Sequence, residues 1–279
     1  MGYAFTARSG SILHVEDTGA PAPGGADGSK RSGSPVLCLH GIGGGAFFFA
    51  GFRKRLAANH RVLAIDLPGS GRSTSKPSDF TFESWIADIG DLIESLGEPV
   101  VVVGHSLGTI LSLRAWATWP QRIRALVFAC GLPKARPNIH ERLSQRAEII
   151  AREGVAGWGP KVSPGVFSQR SLRERHEITG LFEQLFELQR GPEYVRQIEL
   201  LLAADLNAVV PTVTAPCAAI AGREDSYAPP DAVRAFVAAL PRPCEVEVLE
   251  DAAHMAFLEA PEAFAAAVER FLDALPPGA

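Results

Sequence analysis

The sequence has no run of about eighteen consecutive apolar residues, the length that a transmembrane helix requires. Residues 1–30 contain no uninterrupted apolar core, so we expect no secretory signal peptide. Charge of one sign is not concentrated anywhere, because 27 basic and 31 acidic side chains are spread along the chain and leave a net charge of −4. Without a basic stripe or an acidic tail, the sequence predicts neither nucleic-acid binding nor a solvated acidic arm.

Cysteine is scarce, and its spacing excludes the common metal motifs. The four cysteines lie far apart, at Cys38, Cys130, Cys217 and Cys244. Cys38 and Cys130 lie inside or at the end of apolar runs, which is typical of buried free thiols. We therefore expect packed, unpaired cysteines in a cytoplasmic protein that contacts no membrane and binds no metal.

The apolar residues that are present form short runs with the length of strands. Since 47% of the 279 residues are hydrophobic, the chain can bury the core of one large domain, with or without an insertion. Two β-rich runs, Ala4–Arg8 and Ser11–Glu16, are joined by the turn residues Ser9-Gly10 and predict a hairpin. Near-continuous apolar runs, as expected of strands buried on both faces, follow at Val36–Leu39, Val62–Ile65, Val100–Val103, Ala125–Ala129, Ala218–Ala221 and Val246–Leu249.

Helical patterns fill most of the gaps between these runs. Examples are Phe82–Leu96, Leu107–Thr118, Asp231–Leu240 and Pro261–Leu275. The alternation of strands and helices predicts an α/β fold, with a mostly parallel eight-stranded sheet and helices on both faces. The Gly-, Pro-, Ala- and Ser-rich residues Gly19–Ser34 predict a flexible surface loop.

One gap, residues 131–217, is too long for an ordinary crossover between strands. Apolar residues recur in it at helical spacing, in the stripes Leu143, Ala147, Ile150, then Leu181, Phe182, Leu185, Phe186, then Val195, Ile198, Leu202. We interpret residues 132–210 as a helical cap inserted into a core domain of residues 1–131 and 211–279. An independent second domain is the alternative, and the resumption of the sheet at Ala218 disfavours it.

The strongest local signal for chemistry is Gly104-His105-Ser106-Leu107-Gly108, between a predicted strand and a predicted helix. This is the G-x-S-x-G pattern of a nucleophile elbow. A serine on so tight a turn has strained backbone angles, so the residues two positions away must be small, as Gly104 and Gly108 are. The turn exposes the Ser106 hydroxyl as a candidate nucleophile. It also leaves the Leu107 N–H at a helix N-terminus, where it can hold a developing oxyanion.

The glycine-rich segment His40-Gly41-Ile42-Gly43-Gly44 follows the apolar run Val36–Leu39. Its glycines let a backbone N–H approach a reacting carbonyl group. We take the N–H of Ile42 as the second oxyanion donor, with Gly43 as the alternative, and we expect His40 to hydrogen-bond within the loop. Phosphate binding is disfavoured, because the segment has neither G-x-G-x-x-G nor a P-loop lysine.

A serine nucleophile needs a base, and the base needs a carboxylate to orient it. In the fold that carries this elbow, the chain order is serine, acid, histidine. Asp225 follows the predicted strand Ala218–Ala221 and His254 follows Val246–Leu249, both at the carboxyl ends where the sites of parallel sheets gather. We predict that Asp225 is the acid and His254 the general base, with the adjacent Glu224 as the rival acid.

Over nearly its whole length, the sequence resembles the α/β-hydrolase superfamily. The segments that carry the resemblance are His40–Gly44, Asp66–Ser73, Gly104–Gly108, Gly222–Pro229 and Ala253–Pro261. The resemblance implies the fold of that superfamily and a serine–aspartate–histidine mechanism, with an oxyanion hole formed by the backbone of Ile42 and Leu107. It also implies that Asp66–Ser73 is an architectural turn.

Among capped members of the superfamily, the chain is most similar to 3-oxoadipate enol-lactonases and to the C–C hydrolases of meta-cleavage products. Three positions depart from those patterns. Thr109 replaces the small residue that often follows the elbow, Ala253 replaces the glycine before the histidine, and Met255 replaces the tryptophan of many C–C hydrolases. A serine nucleophile argues against haloalkane dehalogenases and epoxide hydrolases, which use aspartate.

The resulting hypothesis is a serine hydrolase that cleaves a small-molecule carboxylic ester or lactone through an acyl-enzyme, without a metal or an organic cofactor. A C–C hydrolase with the same triad and a non-catalytic small-molecule receptor are the alternatives. The sequence does not indicate an oligomeric state.

Arg136 is a candidate contact for a substrate carboxylate, with a solvated surface position as the alternative. Candidate pocket residues are Phe47, Phe48, Phe49, Trp158, Phe182 and Phe186, although ordinary core packing is the preferred interpretation for each of them.

Overall fold

The computed structural model of the chain describes residues 1–19, 33–75 and 80–276. Within these ranges, no helix has both the length and the hydropathy needed to cross a membrane. Of the predicted surface loop Gly19–Ser34, residues 20–32 lie outside the described part of the chain.

In the described part of the chain, eight strands form a single sheet, as the sequence predicts. In chain order they are β1 (Gly2–Thr6), β2 (Ile12–Asp17), β3 (Val36–Leu39), β4 (Val62–Ile65), β5 (Val100–His105), β6 (Ile123–Ala129), β7 (Cys217–Gly222) and β8 (Val246–Leu249). Their order in space is β1-β2-β4-β3-β5-β6-β7-β8. β1 is antiparallel to β2 and β2 to β4, whereas β3 to β8 pair in parallel. The predicted α/β fold with a mostly parallel sheet is therefore confirmed.

The strand boundaries follow the apolar runs closely. β3, β4 and β8 have the predicted bounds, and every residue of β3, β4 and β5 is buried, as expected of strands covered on both faces. The predicted hairpin is present, with its strands shifted by one or two residues at each end. Its connection contains Gly10 at φ 88°, a left-handed conformation that glycine adopts without steric cost.

The described residues form eleven α-helices. They are α1 (Ala50–Leu56), α2 (Phe82–Ser95), α3 (Leu107–Thr118), α4 (Pro137–Glu153), α5 (Gly159–Val166), α6 (Gln169–Glu174), α7 (His176–Glu187), α8 (Gly191–Ala203), α9 (Pro230–Ala238), α10 (Ala256–Glu259) and α11 (Pro261–Asp273). Short 3₁₀ helices lie at Ala46–Phe49, Pro120–Arg122 and Val210–Thr212. The sequence predicts the ends of α2, α3, α9 and α11 to within two residues.

The strand order decides which face of the sheet each core helix covers. Crossovers between parallel strands are right-handed. The connection from β3 to β4 runs toward one edge of the sheet, and the connection from β5 to β6 runs toward the other. α1 and α3 must therefore cover opposite faces. In agreement, α1 packs against α11, whereas α3 packs against α2.

Helices α4 to α8 form an insertion between β6 and β7, where the sequence predicts the cap. α4 packs against α8, and α5 packs against α7. At the base of this helical insertion, Lys134 Nζ lies 2.8 Å from Asp205 Oδ2, and the Leu206 N–H donates to the Pro133 carbonyl at 3.0 Å. These contacts hold the two ends of the insertion together where it leaves the core. The boundaries 132–210 of a cap domain stay a prediction.

The apolar stripes predict the buried faces of these helices only in part. The stripe of α4 is wholly buried. On α7, Phe182 and Phe186 are buried, but Leu181 is 56% exposed. On α8, Ile198 is buried, and so is Gln197 beside it, which hydropathy would place in solvent. Hydropathy alone therefore misassigns residues that face a polar partner or that lie at the edge of a stripe.

Candidate active site

The turn between β5 and α3 carries Ser106. This serine has φ 53° and ψ −113°, in the left-handed region that is rare for residues with a side chain. A Cβ on Gly104 would lie 2.3 Å from the Gly108 carbonyl oxygen, and one on Gly108 would lie 2.1 Å from that of Leu39. The turn therefore requires glycine at both positions. Backbone strain of this kind clusters at functional sites.

Thr109 departs from the family pattern. It fits beside this turn because the residue that faces it, Gly131, has no side chain. The threonine hydroxyl donates to the Gly104 carbonyl at 2.9 Å, and its side chain is fully buried. A Cβ on Gly131 would come within 2.0 Å of Thr109 Oγ1. Gly131, two residues after the end of β6, thus leaves the space that Thr109 fills.

The loop His40–Gly44 lies directly against Ser106. A Cβ on Gly41 would be 2.9 Å from Ser106 Cβ. His40 Nδ1 donates to the Gly41 carbonyl at 2.7 Å, and Nε2 accepts the Leu67 N–H at 2.9 Å. Burial lowers the pKa of His40, so the ring stays neutral and can keep this donor–acceptor pattern. His40 therefore ties the loop to the turn that begins at Asp66, consistent with a structural role.

Ile42 and Leu107 carry the two N–H groups predicted to form an oxyanion hole. Within the described residues, neither group donates a hydrogen bond. The alternative donor, Gly43, gives its N–H to Gln197 Oε1 at 3.1 Å. A donor that is already engaged is not free for a substrate, which favours Ile42 over Gly43.

Asp225 and His254 meet at the carboxyl ends of β7 and β8. His254 Nδ1 lies 2.9 Å from Asp225 Oδ2, and the two side chains are 8% and 0% exposed. The other carboxylate oxygen of Asp225 accepts the N–H of Tyr227 at 2.8 Å and that of Ala228 at 3.0 Å. These bonds fix the carboxylate, so it can hold the imidazole in one orientation and one tautomer.

Glu224, the rival acid, is directed away from His254. Its Oε2 accepts the N–H of Gln169 at the start of α6, at 2.9 Å. Glu224 is also exposed, whereas Asp225 is buried. Of the two adjacent carboxylates, only Asp225 contacts the imidazole.

Ser106 and His254 line one cavity but are not bonded to each other. Among the described residues, the only hydrogen bond of the His254 ring is the one from Nδ1 to Asp225. Bonds between a nucleophile and its base are often long before a substrate binds and shorten in the complex. The geometry therefore brings Asp225 and His254 together, and His254 lines the same cavity as Ser106.

Two aromatic rings enclose His254. The Tyr227 ring stacks on it with centroids 4.7 Å apart, and the His105 ring lies 4.9 Å away. His105 Nε2 donates to the His254 carbonyl at 2.9 Å. Burial lowers the pKa of His105 well below its usual value, so this histidine stays neutral and acts as a fixed donor to the His254 backbone.

Glu259, on α10, is a structural link to this site that sequence reasoning misses. Its side chain is buried, Oε1 accepts the Ala253 N–H at 2.7 Å, and Oε2 accepts the Ser168 N–H at 2.7 Å. One carboxylate thus joins the residue before His254 to the helical insertion. Its position within Ala253–Pro261, one of the segments that carry the family resemblance, was the only signal in the sequence.

Replacing Glu259 with glutamine is expected to lower the free energy of unfolding by about 1–3 kcal/mol, because the amide NH₂ group would face a buried backbone N–H. Any turnover that depends on His254 should fall as well, since Ala253 precedes His254. Urea unfolding and initial rates measure the two effects. Glu262→Gln, an exposed change on α11, is the matched control. Equal losses in the two variants would contradict the role given to Glu259.

A cavity of about 80 Å³ is lined by residues of both the sheet domain and the helical insertion. Of the six aromatic candidates, three line it: Phe48, Phe182 and Phe186. The other three, Phe47, Phe49 and Trp158, do not line it. Phe49 packs in the core against Phe52 and Phe257, Phe47 is 37% exposed, and the Trp158 ring packs against Lys161.

Two arginines line the cavity. Arg136, the candidate from the sequence, is half-buried and donates from Nη1 to the Ser226 carbonyl at 3.2 Å. Arg146, which the sequence analysis does not single out, is more deeply buried, at 8% exposure. It follows Leu143 by three positions and precedes Ala147, so it shares the apolar stripe of α4. A charged residue within an apolar stripe was the signal that could have found it.

The cysteines are free, as expected. Cys130 lines the cavity, but burial raises the pKa of its thiol well above the usual value, so the thiol stays protonated and unreactive. In the described part of the chain, no cluster of three or more His, Cys, Asp and Glu side chains could hold a metal ion.

Residues 36–267 match a protein-family model described as the alpha/beta hydrolase family. Over 213 residues, the chain is 27% identical to the putative carbamate hydrolase RutD of Stutzerimonas stutzeri (strain A1501), which covers 72% of this chain and 78% of the relative. Over 256 residues, it is 27% identical to the pimeloyl-(acyl-carrier protein) methyl ester esterase of Xanthomonas oryzae pv. oryzae (strain MAFF 311018), covering 88% and 97% of the two chains.

Solved structures share the fold. The enol-lactonase from Burkholderia xenovorans LB400 matches 97% of this chain and 100% of its own, with a TM-score of 0.85 and 22% sequence identity. At this identity the likeness establishes a common architecture, here with one of the enzyme classes that the sequence motifs resemble.

Proposed function

The chain belongs to the α/β-hydrolase family, and on this premise we propose that it is a serine hydrolase that cleaves a carboxylic ester or lactone of a small molecule. The observation that carries the proposal is the 2.9 Å bond between buried His254 and Asp225, at the wall of the cavity that Ser106 also lines. Hydrolysis of esters or related bonds is what the names of the relatives have in common. The serine mechanism and the substrate class are the finer parts of the proposal.

In the first half of the reaction, Ser106 Oγ attacks the substrate carbonyl carbon while its proton passes to His254 Nε2. Asp225 keeps the Nδ1–H of His254 in place and stabilises the imidazolium that forms. The carbonyl oxygen becomes an oxyanion and accepts the N–H groups of Ile42 and Leu107. When the C–O bond breaks, His254 gives its proton to the departing alcohol, and the acyl group stays on Ser106.

In the second half, a water molecule attacks the acyl-enzyme. His254 takes one proton from the water, and the same two N–H groups hold the second oxyanion. Collapse of this intermediate releases the carboxylic acid and returns the proton to Ser106.

We include residues 132–210 in the proposal as a cap whose helices shape the cavity and exclude bulk water. The four free thiols support a location in a reducing compartment such as the cytoplasm.

The two alternatives of the sequence analysis have less support. Met255, which lines the cavity, stands where many C–C hydrolases have tryptophan. A purely binding role would not require Asp225 to be held by backbone N–H groups and to orient His254. An ester or lactone substrate is therefore preferred, and a carbamate, which is named for one relative, belongs in the same substrate panel.

The proposal is tested by capturing the acyl-enzyme and by labelling the nucleophile. With p-nitrophenyl acetate, we expect a burst of about one nitrophenolate per enzyme molecule. Methanesulfonyl fluoride is small enough for a narrow cavity and forms a sulfonate ester with an activated serine as fluoride leaves. Peptide mass spectrometry should find this adduct on Ser106 and should not find it on Ser112, a buried serine of the helix that follows Ser106. Labelling elsewhere with full loss of activity would overturn the assignment of the nucleophile.

A further inference from the structure

Arg146 is a buried cation in the wall of the cavity. It projects from α4 with 8% of its surface exposed. Nη1 donates to the Tyr194 hydroxyl at 3.2 Å, and Nη2 donates to the Tyr227 hydroxyl at 3.0 Å. Nε is buried and has no hydrogen-bond partner among the described residues. A guanidinium has five N–H donors, so at least one is left unsatisfied in an interior where that is costly.

No carboxylate of the described chain compensates this charge. Arg146 makes no ion pair within residues 1–19, 33–75 and 80–276, and the lining of the cavity includes no aspartate or glutamate. The two other cations of the lining have partners: Lys134 pairs with Asp205, and Arg136 donates to the Ser226 carbonyl. A buried charge without a counter-charge is strongly unfavourable, and it persists where an opposite charge arrives with a ligand.

The two tyrosines orient Arg146 but do not neutralise it. Burial raises the pKa of Tyr194, so its hydroxyl stays protonated at neutral pH and offers a dipole instead of a charge. Arg146 itself cannot lose its proton in this range. The guanidinium of Arg142 lies 4.2 Å from the centroid of the Tyr227 ring and adds positive charge to the same region. An anion that entered this cavity would meet no opposing carboxylate on its walls.

We infer that Arg146 binds a carboxylate carried by the substrate, so that the enzyme acts on a small acid that contains an ester or lactone. The inference rests on the proposed function and narrows its substrate class. Each Nη carries a second N–H besides the one given to a tyrosine, and the planar guanidinium offers these donors as a fork that matches the two oxygens of a carboxylate. The small volume of the cavity, about 80 Å³, favours a compact ligand.

The location of Arg146 also explains how such a carboxylate would position the reacting bond. The Tyr227 ring stacks on His254 at 4.7 Å, and its hydroxyl accepts from Arg146. The guanidinium is therefore separated from the imidazole by one tyrosine side chain. Arg146 and Ser106 line the same cavity, so we expect a substrate with a short chain between its carboxylate and its ester to contact both.

The test compares methanol release at neutral pH from two esters of the same four-carbon diacid, monomethyl succinate with a free carboxylate and dimethyl succinate without one. Wild type should have the higher kcat/KM for the half-ester. In Arg146→Gln, the ratio of the two kcat/KM values should fall about 10- to 100-fold, mainly through KM. Arg146→Lys keeps the charge without the fork and should lose less. Arg152→Gln, an exposed arginine on the same helix, should leave the ratio unchanged.

A merely structural role for Arg146 would lower both kcat/KM values by the same factor and leave their ratio intact, and that result overturns the inference. So would a wild type without preference for the half-ester. Should Arg146→Gln fail to fold, the lysine variant carries the same comparison.

Calorimetric titration with succinate separates this inference from the proposed function. If succinate binds to wild type and its affinity falls about 10- to 100-fold in Arg146→Gln, the carboxylate site is supported. This holds even if neither ester is hydrolysed, and in that case only the proposed function fails. Hydrolysis of the diester with no binding of succinate defeats the carboxylate site and leaves the proposed function standing.

Discussion

Replacing Ser106 with alanine is expected to lower kcat for p-nitrophenyl acetate by about 10⁴- to 10⁶-fold, with a much smaller change in KM. The hydroxyl is the only group of the proposed site that forms a bond to the acyl carbon, so nothing in the cavity replaces it. The residual rate should come from binding and from the N–H groups of Ile42 and Leu107. Initial rates at matched enzyme concentrations measure the effect.

Ser112→Ala is the matched control, because Ser112 is a buried serine on α3, the helix that follows Ser106, and its hydroxyl donates to the Gly108 carbonyl at 2.7 Å. Its loss should reduce activity less than about tenfold. Thermal unfolding should show that both variants fold. A Ser106→Ala enzyme that keeps a tenth of the wild-type rate would remove Ser106 from the mechanism, whatever the geometry of the turn.

The features that could be predicted from the sequence are those fixed by local pattern. β3 and β4 are short apolar runs between turn residues, and their side chains are buried whichever way they point, so pattern and structure agree to the residue. The start of α3 is equally local, because Gly104 and Gly108 permit only one kind of turn at Ser106. Three residues of the candidate site follow from chain order, since strand ends of a parallel sheet share one edge.

What the sequence could not supply are contacts between segments far apart in the chain. Helical periodicity shows which face of α4 is buried but not that Arg146 on it meets Tyr194 and Tyr227, 48 and 81 positions later. Similarly, Gln197 engages Gly43 across 154 positions. These pairings depend on how the helical insertion docks onto the sheet, which no local pattern encodes. Which of the adjacent residues Phe47, Phe48 and Phe49 lines the cavity is likewise decided by packing between distant segments, and only Phe48 does.

The choice between Asp225 and Glu224 shows where local reasoning ends and geometry begins. Both follow β7 at nearly the same distance, and pattern alone leaves the choice open. In the structure, adjacent side chains leave the loop in different directions. The Asp225 side chain reaches His254, and the Glu224 side chain reaches the N–H of Gln169 in the helical insertion. The two residues therefore provide a matched pair of variants with sharply different expected results.

Asp225→Asn is expected to lower kcat by about 10⁴-fold while the protein stays folded. The N–H groups of Tyr227 and Ala228 donate to one oxygen of Asp225, and the amide oxygen of asparagine would take their place as acceptor. Its NH₂ group would then face His254 Nδ1 and turn that nitrogen into an acceptor. The proton would move to Nε2, and the ring could no longer accept the proton of Ser106.

Glu224→Gln should change kcat less than about threefold, because Glu224 is exposed and its amide oxygen can still accept the N–H of Gln169. Burst kinetics with p-nitrophenyl acetate and thermal unfolding of both variants complete the comparison. A large loss in Glu224→Gln and a small one in Asp225→Asn would mean that the orienting acid changes when substrate binds. If instead both variants stay active, His254 needs no orienting carboxylate, and the mechanism proposed for this cavity is wrong in its central step.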